Sequence, residues 1–332
     1  MNQITGLKPD ILGPDYEMTT LPMGTDYEGE VIATLVRRQP DPTANKAVLY
    51  IHGYNDYFFQ KHVGTFFADL GANFYALDLR KHGRSLLPHQ TASLCRTLRE
   101  YYPEIDAAVE IIKQAGHETV LLSGHSTGGL TACLWAEEGS RRNLVDGLIL
   151  NSPYLSSGVP RLAQILLDPI CRLVTYRQPA KVFPLEFSPH YARSLHRSYQ
   201  GEWDFDTEWK SVSGTRFMPA WLVSIHEGQR RVRNGLGLRM PVLVMCGTQS
   251  GGRRTPPEQM LRADTVLNVN QIAHLSTRLS RNVTCIRVPD AMHDVFLSRP
   301  AVREQAFAEI SRWLGTWMTK TSAKDCAVAA HL

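Results

Sequence analysis

The chain has 332 residues, of which 43% are hydrophobic and 20% are charged, with a formal net charge of +4 at pH 7. This composition is ordinary for a globular protein, and the length allows two average domains or one large domain with an insertion. Lysine and arginine are scattered along the chain, which disfavours a nucleic-acid-binding protein because such proteins need a clustered basic face.

Targeting signals and cysteine usage indicate a cellular compartment. The first residues, MNQITGLKPDILGPDYE, lack a basic segment followed by an apolar one, so no secretory signal is predicted. No run approaches about 18 consecutive apolar residues, so no transmembrane segment is predicted. The six cysteines are widely spaced and most lie in apolar runs, which is typical of free thiols in a reducing compartment. We therefore expect a cytoplasmic protein.

Short β-rich runs alternate with helical patterns along most of the chain. In chain order the predicted elements are an antiparallel strand at 30–36, a strand at 46–53, a helix at 58–72, a strand at 73–80, a helix at 97–116, a strand at 118–124, a helix at 126–139, strands at 146–153, 240–247 and 282–289, and a closing helix at 299–318. Pro103 either bends the helix at 97–116 or marks its true start. This alternation favours an α/β fold, with a mostly parallel central sheet and helices on both faces.

The interval 156–239 breaks the alternation and is too long for a simple crossover. It contains several prolines with helical fragments between them, so we predict an inserted helical cap over the edge of the sheet where ligands bind in open α/β folds. Most of its large aromatic residues are expected to hold the cap to the body, and one or two to face a substrate. These residues are Trp203, Trp209, Trp221, Phe183, Phe187, Phe205 and Phe217. The predicted organisation is a core at 1–155 and 240–318, a cap at 156–239 and a flexible tail at 319–332.

Ser126 lies at the centre of the sequence Gly-His-Ser-Thr-Gly, between a predicted strand and a predicted helix. Glycines at both ends of this pattern permit close packing around a sharp strand-to-helix turn, and a helix N-terminus favours a developing negative charge. The context is typical of a serine nucleophile. The alternative is a serine that only caps the helix.

A serine nucleophile needs a base further along the chain. His293, in the sequence VPDAMHDVFLS, directly follows the last predicted strand. A loop at the C-terminal end of that strand can reach the turn at Ser126, so His293 is the predicted base.

The acid is expected after the strand at 240–247. The usual Gly-x-x-Asp spacing would place an aspartate at position 250, where this chain has Ser250. The nearest downstream candidate is Asp264, and Asp290 and Asp294 are rivals beside His293. We favour Asp264, which implies an insertion in the loop that precedes it.

Two backbone amides are the predicted oxyanion hole. Thr127 directly follows the nucleophile, and Tyr54 follows the His52-Gly53 pair that ends the strand at 46–53. A simple strand-ending turn would also explain the second pattern. The chain order of oxyanion loop, serine, aspartate and histidine is much rarer by chance than any single motif.

With these motifs the sequence resembles the α/β-hydrolases of the serine aminopeptidase and monoacylglycerol lipase group. The matching segments are YIHGYND, ALDLRKHGRS, GHSTGG, LILNSP and DAMHD, and the resemblance covers residues 30–155 and 240–318. It implies acyl transfer to Ser126, with His293 as the base, and Ser250 is its departure from the pattern. The resemblance implies neither a metal ion nor an organic cofactor, and in the segment ALDLRKHGRS we expect Asp78, His82 and Arg84 to brace a loop near the site.

The substrate is the least determined part of the function. A cap rich in Trp and Phe favours a small-molecule acyl ester: a monoacylglycerol, a lysophospholipid or a short-chain carboxylic ester. One alternative is an aminopeptidase of the proline-iminopeptidase type, in which acidic residues of the cap hold the substrate ammonium; the same residues are also explained as a solvated surface. They are Glu202, Asp204, Asp206 and Glu208. Another alternative is a non-catalytic ligand receptor on the same fold, and the oligomeric state is not predicted.

Overall fold

A computed structural model describes residues 5–178, 181, 183–186, 190–213, 216–252, 255 and 257–317. The predicted tail at 319–332 and Phe187 lie outside this part of the chain. The described strands are β1 (Lys8–Asp10), β2 (Gly13–Asp26), β3 (Gly29–Arg38), β4 (Lys46–Ile51), β5 (Ala72–Asp78), β6 (Thr119–His125), β7 (Gly147–Asn151), β8 (Phe183–Glu186), β9 (Arg216–Phe217), β10 (Val242–Gly247) and β11 (Val283–Val288). The described helices are α1 (Lys61–Asp69), α2 (Tyr102–Gln114), α3 (Thr127–Glu138), α4 (Arg161–Arg177), α5 (His190–Leu195), α6 (Pro219–Asn234), α7 (Pro257–Met260), α8 (Val269–Ser276) and α9 (Pro300–Trp317).

The central sheet of the described chain has nine strands, in the order β1-β2-β3-β5-β4-β6-β7-β10-β11. Each neighbouring pair from β5 to β11 is parallel, whereas β1, β2 and β3 form an antiparallel extension beside β5. Strands such as β7 and β10 are buried along their whole length, which explains their continuous apolar sequences. The predicted mostly parallel sheet is therefore confirmed, and so is the antiparallel direction of β3.

Helices cover both faces of this sheet. Along β4, Leu49 and Ile51 belong to an apolar layer that includes residues of α2, α3 and α8. The alternate residues Val48 and Tyr50 belong to the opposite layer, with residues of α1 and α9. Successive side chains of a strand point to opposite faces, so one short apolar strand contributes to both layers.

The sequence patterns did not predict β1 and β2. In β2 buried and exposed positions follow one another irregularly, and the pairing with β3 shifts between Pro22 and Thr25. β1 contributes Asp10, whose carboxylate lies 2.6 Å from Arg84 Nε, while Arg84 also binds Asp78 at 2.8 Å. These two ion pairs brace the turn after β5, as expected of Asp78 and Arg84.

Pro103 marks the start of a helix. α2 begins at Tyr102 and has Pro103 in its first turn, after a short 3₁₀ turn at Leu98–Tyr101. A proline in the first turn forfeits no helical hydrogen bond, because the amides there have no partner within the helix. None of the helices in the described part of the chain is both long enough and apolar enough to span a bilayer.

The chain leaves the sheet between β7 and β10. The described residues of this interval form α4, α5, α6 and the two-stranded β8–β9 ribbon, and none of them joins the nine-stranded sheet. Trp203 Nε1 donates a hydrogen bond to the Leu297 carbonyl at 2.9 Å, and Trp209 packs edge-on against Tyr57. These two tryptophans therefore attach the interval to the rest of the protein.

Candidate active site

Ser126 lies on a sharp turn between β6 and α3. Its backbone has φ 52° and ψ −116°, in the left-handed half of conformational space that residues with a Cβ seldom adopt. A Cβ at Gly124 would lie 2.8 Å from the Gly128 carbonyl oxygen, and one at Gly128 would overlap the His52 carbonyl oxygen. The Ser126 side chain makes no capping hydrogen bond within the described structure. Its geometry is that of a strained strand-to-helix turn and excludes a simple capping serine.

Three predicted site residues form one hydrogen-bonded line. Ser126 Oγ lies 3.0 Å from His293 Nε2, and His293 Nδ1 lies 2.9 Å from Asp264 Oδ2. The exposed fractions of Ser126, His293 and Asp264 are 8%, 2% and 0%. When Nδ1 carries the proton and donates to Asp264, Nε2 presents a lone pair to the Ser126 hydroxyl. The line is therefore arranged to remove a proton from Ser126 Oγ.

The Asp264 carboxylate is fixed by its own chain. Its second oxygen, Oδ1, accepts hydrogen bonds from the Val266 and Leu267 amides at 2.9 and 2.7 Å. Ser250, which occupies the position expected for the acid, pairs with Asp264 in an isolated parallel bridge. Ser250 Oγ accepts a hydrogen bond from the Val269 amide at 2.9 Å, so it helps to start α8.

The two rival aspartates have other partners. Asp290 is at the surface, where its carboxylate lies 3.3 Å from both Arg262 and Arg299. Asp294 Oδ1 accepts hydrogen bonds from the Asn151 side chain at 2.6 Å and from the Phe296 amide at 3.0 Å. Their geometry favours structural roles in the loop that carries His293.

Tyr54 and Thr127 lie close to Ser126, as the sequence predicts. Thr127 is the first residue of α3, where backbone amides have no acceptor within the helix. Gly53 brings the loop after β4 against Ser126, since a Cβ there would lie 3.3 Å from Ser126 Cβ. Both Tyr54 and Thr127 line the same cavity as Ser126. The structure thus brings all five predicted site residues together.

A cavity of about 550 Å³ opens above Ser126 and His293. One wall is aromatic: the Trp221 ring lies 4.3 Å from the Tyr54 ring and 6.0 Å from the Tyr154 ring, centroid to centroid. Met260, Val266 and Leu267 add further apolar side chains. A hydrocarbon or aromatic group could therefore contact apolar surface in the same cavity as Ser126.

The cavity lining also contains charged and ionisable side chains, Asp56, Lys210 and His125, which the sequence patterns did not predict as part of the site. Lys210 Nζ lies 2.7 Å from Asp56 Oδ1, and His125 Nδ1 lies 3.6 Å from Asp56 Oδ2. Burial alone would raise the pKa of Asp56, but the Lys210 ammonium and His125 outweigh it and hold that pKa well below its usual range. Asp56 therefore stays ionised and paired.

Tyr191 is a further unpredicted contact of His293. Its ring packs edge-on against His293 with centroids 5.4 Å apart, and its hydroxyl accepts a hydrogen bond from the Asp294 amide at 3.0 Å. It belongs to α5, in the interval where no sequence periodicity singled it out. Among the described residues, no group of three or more His, Cys, Asp or Glu side chains could hold a metal ion.

The acidic run of the interval lies outside the described lining of this cavity. Glu202 pairs with Arg303 at 2.6 Å, and Asp204 pairs with Arg197 at 2.8 Å. Asp206 Oδ1 accepts a hydrogen bond from the Glu208 amide at 2.8 Å. None of the four acids is among the described residues that line the cavity. Their contacts are those of a solvated surface.

Three solved structures are similar to this chain over nearly their whole length. The monoacylglycerol lipase of Paleococcus ferrophilus is 19% identical, with a TM-score of 0.58 over 90% of this chain and 98% of that one. A soluble variant of the Saccharomyces cerevisiae monoglyceride lipase, solved with a substrate analog, is 13% identical, with a TM-score of 0.61 over 90% and 96%. Est1E of Butyrivibrio proteoclasticus, solved with ferulic acid, is 18% identical, with a TM-score of 0.54 over 90% and 100%. At these identities the likeness establishes the fold.

Sequence comparison establishes the family. Comparison with curated proteins gives no match. The family model described as "Serine aminopeptidase, S33" matches residues 42–253, which is more than half of the chain. This range includes Tyr54, Ser126 and Thr127 and ends before Asp264 and His293, whose link to Ser126 is given by the structure. The chain belongs to the serine aminopeptidase S33 family and has the α/β-hydrolase fold.

Proposed function

We propose that this protein is a serine hydrolase that cleaves carboxylic esters through an acyl-enzyme on Ser126. The observation that carries the proposal is the hydrogen-bonded line from Asp264 through His293 to Ser126 Oγ, with its contacts of 2.9 and 3.0 Å. Nucleophile, base and orienting acid within hydrogen-bond reach are the geometric signature of covalent acyl transfer.

Each predicted residue has a defined role in this mechanism. His293 Nε2 takes the proton of Ser126 as Oγ attacks the ester carbonyl carbon, and Asp264 stabilises the imidazolium that forms. The Tyr54 and Thr127 amides bind the oxyanion of the tetrahedral intermediate. When this intermediate collapses, His293 gives its proton to the leaving alcohol and the acyl group stays on Ser126. His293 then takes a proton from water, which attacks the acyl-enzyme and releases the carboxylic acid.

The cavity supports an ester with an apolar acyl group. Tyr54, Tyr154 and Trp221 offer apolar surface beside Ser126. An aminopeptidase needs a carboxylate for the substrate ammonium, and the Asp56 carboxylate on the cavity wall is already paired with Lys210. A monoacylglycerol, a lysophospholipid or a short-chain acyl ester fits these surroundings. The likeness to two monoacylglycerol lipases supports the same class.

The same proposal divides the chain into a core at 1–155 and 240–318 and a cap at 156–239. It is supported by the absence of described cap residues from the nine-stranded sheet. It is also supported by the cavity, whose wall combines core residues such as Ser126 with Trp221 and Tyr191 from the interval. The cap then determines which acyl group reaches Ser126.

A fluorophosphonate probe tests the nucleophile. We expect covalent labelling of the wild type, loss of labelling in Ser126→Ala, and normal labelling in Ser157→Ala, a matched serine that also lines the cavity. An unlabelled wild type would contradict the enzymatic proposal and favour the non-catalytic receptor. Labelling that persists in Ser126→Ala would contradict the assignment of the nucleophile.

A substrate panel tests the reaction class. We expect turnover of p-nitrophenyl esters of graded acyl length and no comparable turnover of aminoacyl p-nitroanilides, including the prolyl anilide. Faster hydrolysis of an anilide than of every ester would establish the aminopeptidase alternative instead.

A further inference from the structure

The loop after β4 that carries the Tyr54 amide is held by residues 205–211 of the 156–239 interval, which we name the clamp segment. Asn55 Nδ2 donates to the Ser211 carbonyl at 3.1 Å, and the Ser211 amide donates to Asn55 Oδ1, also at 3.1 Å. The Asp206 amide donates to the Tyr57 hydroxyl at 2.7 Å. Residues on both sides of Asp56 are thus bound by the clamp segment.

The centre of this contact is the ion pair between Asp56 and Lys210. Its N–O distance is 2.7 Å, and the exposed fractions of the Asp56 and Lys210 side chains are 1% and 5%. The Lys210 ammonium also lies 5.6 Å from the Phe59 ring and 5.7 Å from the Phe205 ring, one on each side of the contact between loop and clamp segment. Removing either partner of a pair buried this completely is costly, because it leaves the other partner as an uncompensated buried charge.

The backbone of the loop needs such support. Asn55 has φ 49°, so the chain turns through a left-handed conformation immediately after Tyr54. Residues in this conformation keep it when surrounding contacts determine it. The contacts of Asn55 and Asp56 with the clamp segment fix this backbone conformation. The Tyr54 amide directly precedes Asn55 in the chain and is therefore held in place with it.

We infer that the clamp segment positions the Tyr54 amide for the oxyanion and that Lys210 is its central positioning residue. The inference rests on the proposed ester hydrolysis. Lys210 acts through Asp56 and the loop, and its role requires no contact with substrate. An oxyanion donor contributes chiefly when negative charge develops on the carbonyl oxygen. A loosened clamp therefore lowers kcat and weakens binding of transition-state analogues, while KM changes little.

The kinetic test compares Lys210→Met with Lys210→Arg and with Lys181→Met, a matched substitution at an exposed lysine of the same interval. For a p-nitrophenyl ester we expect Lys210→Met to lower kcat by about 10- to 100-fold, with KM within about threefold of the wild type. The inhibition constant of an alkyl trifluoromethyl ketone, which binds as a tetrahedral adduct, should rise by a similar factor. Lys210→Arg should retain most of kcat, and Lys181→Met all of it.

The double variant Asp56→Asn/Lys210→Met separates positioning from simple charge repulsion by an unpaired Asp56. Positioning predicts that kcat stays low in the double variant, because the ion pair is still missing. Full recovery of kcat would overturn the inference, and so would an unchanged kcat in Lys210→Met. A raised KM with normal kcat would also overturn it, since that result would place Lys210 in substrate binding.

Hydrogen–deuterium exchange measures how firmly the clamp segment holds the loop after β4, and it needs no substrate. We expect amides of the loop at 53–57 to exchange faster in Lys210→Met than in the wild type or Lys181→Met, while α3 amides keep their protection. Unchanged exchange in the loop would overturn the inference even if the variant loses activity. A wild type that hydrolyses no ester but shows the exchange effect would contradict the proposed function and leave the clamp in place.

Discussion

Ser250 and Asp264 lie side by side in a parallel bridge, and the Asp264 carboxylate meets His293 Nδ1 at 2.9 Å. The bridge is closed by two backbone hydrogen bonds, from the Asp264 amide to the Gln249 carbonyl at 3.0 Å and from the Gly251 amide to the Asp264 carbonyl at 2.7 Å. The chain therefore returns at Asp264 to the backbone that it left after Gly251. Asp264 follows Ser250 by 14 positions in the sequence, but its backbone lies directly beside that of Ser250.

Asp264→Asn tests this placement of the acid. An asparagine amide donates to His293 Nδ1 and so favours the tautomer with the proton on Nε2, which cannot accept the Ser126 proton. We expect kcat for an ester to fall by about 10⁴-fold with little change in KM. Asp290→Asn is the matched control and should keep normal turnover. Near-normal turnover in Asp264→Asn, together with a loss in Asp290→Asn or Asp294→Asn, would identify a different acid.

Gly128→Ala tests the packing that creates the turn at Ser126. The added Cβ would overlap the His52 carbonyl oxygen, so the strand and the helix must separate. We expect a loss of about 1–3 kcal/mol in the free energy of unfolding, measured by urea denaturation. Gly315→Ala makes the same change in α9, where no described atom would lie within 4 Å of the Cβ, and should stabilise by about 0.5–1 kcal/mol. Equal stabilities of the two variants would be inconsistent with this account.

The stability of the protein should fall in mild acid because His82 is buried in its neutral form. Burial, together with the neighbouring His52, lowers the pKa of His82 to about 3. An unfolded histidine titrates near pH 6.5, so below that pH the unfolded chain binds a proton that the folded chain does not. This contribution is fully present above about pH 6.5 and is lost as the pH falls towards 3. At pH 5 the loss amounts to about 2 kcal/mol.

Urea denaturation at pH 7.5 and pH 5 measures this effect in His82→Asn. Asparagine keeps a donor for the Arg80 carbonyl, which His82 Nδ1 contacts at 2.8 Å, and it has no group that titrates in this range. The difference in unfolding free energy between the two pH values should shrink by about 2 kcal/mol relative to the wild type. His89→Asn, at an exposed histidine, should leave the difference unchanged. A wild-type pH dependence in His82→Asn would contradict the prediction.

Trp221→Ala tests the aromatic wall of the cavity. Loss of the ring removes apolar surface that a long acyl chain would contact, so kcat/KM should fall about tenfold for a long-chain ester. Acetate esters should be affected much less. Trp203→Ala removes a tryptophan of the same interval that contacts Leu297, and it should not change the preference for chain length. An unchanged preference in Trp221→Ala would place the acyl chain elsewhere.

Ser126 and His293 could be predicted from the sequence because each follows an apolar strand within a few residues. Ser126 follows β6 and His293 follows β11, and these parallel strands end at the same edge of the sheet, so the loop after β11 can reach Ser126 across that edge. Asp264 is harder, because its place depends on a backbone bridge to residues far back along the chain. The sequence favours Asp264 as the nearest aspartate downstream of position 250, and the bridge between Ser250 and Asp264 is the physical reason for that position.

Lys210 and β2 could not be predicted for two different physical reasons. The partner of Lys210 is 154 residues away in sequence, and the lysine lies in a segment without periodic burial, where a charged residue normally indicates solvent. β2 is a long, partly exposed strand near the sheet edge with a shift in register, so its apolar residues do not alternate cleanly. Local sequence patterns indicate strands that are buried along their whole length. They do not indicate contacts between residues that are far apart in the sequence.

The left-handed backbone at Ser126 lowers the stability of the folded chain at the residue that is proposed to act as the nucleophile. A residue with a Cβ at φ 52° costs of order 1–3 kcal/mol, which glycine would largely avoid. At this one position the folded chain would be more stable without the Oγ atom that the proposed mechanism uses as the nucleophile. A screen that selects for thermal stability alone would therefore enrich Ser126→Gly chains, which lack the proposed nucleophile.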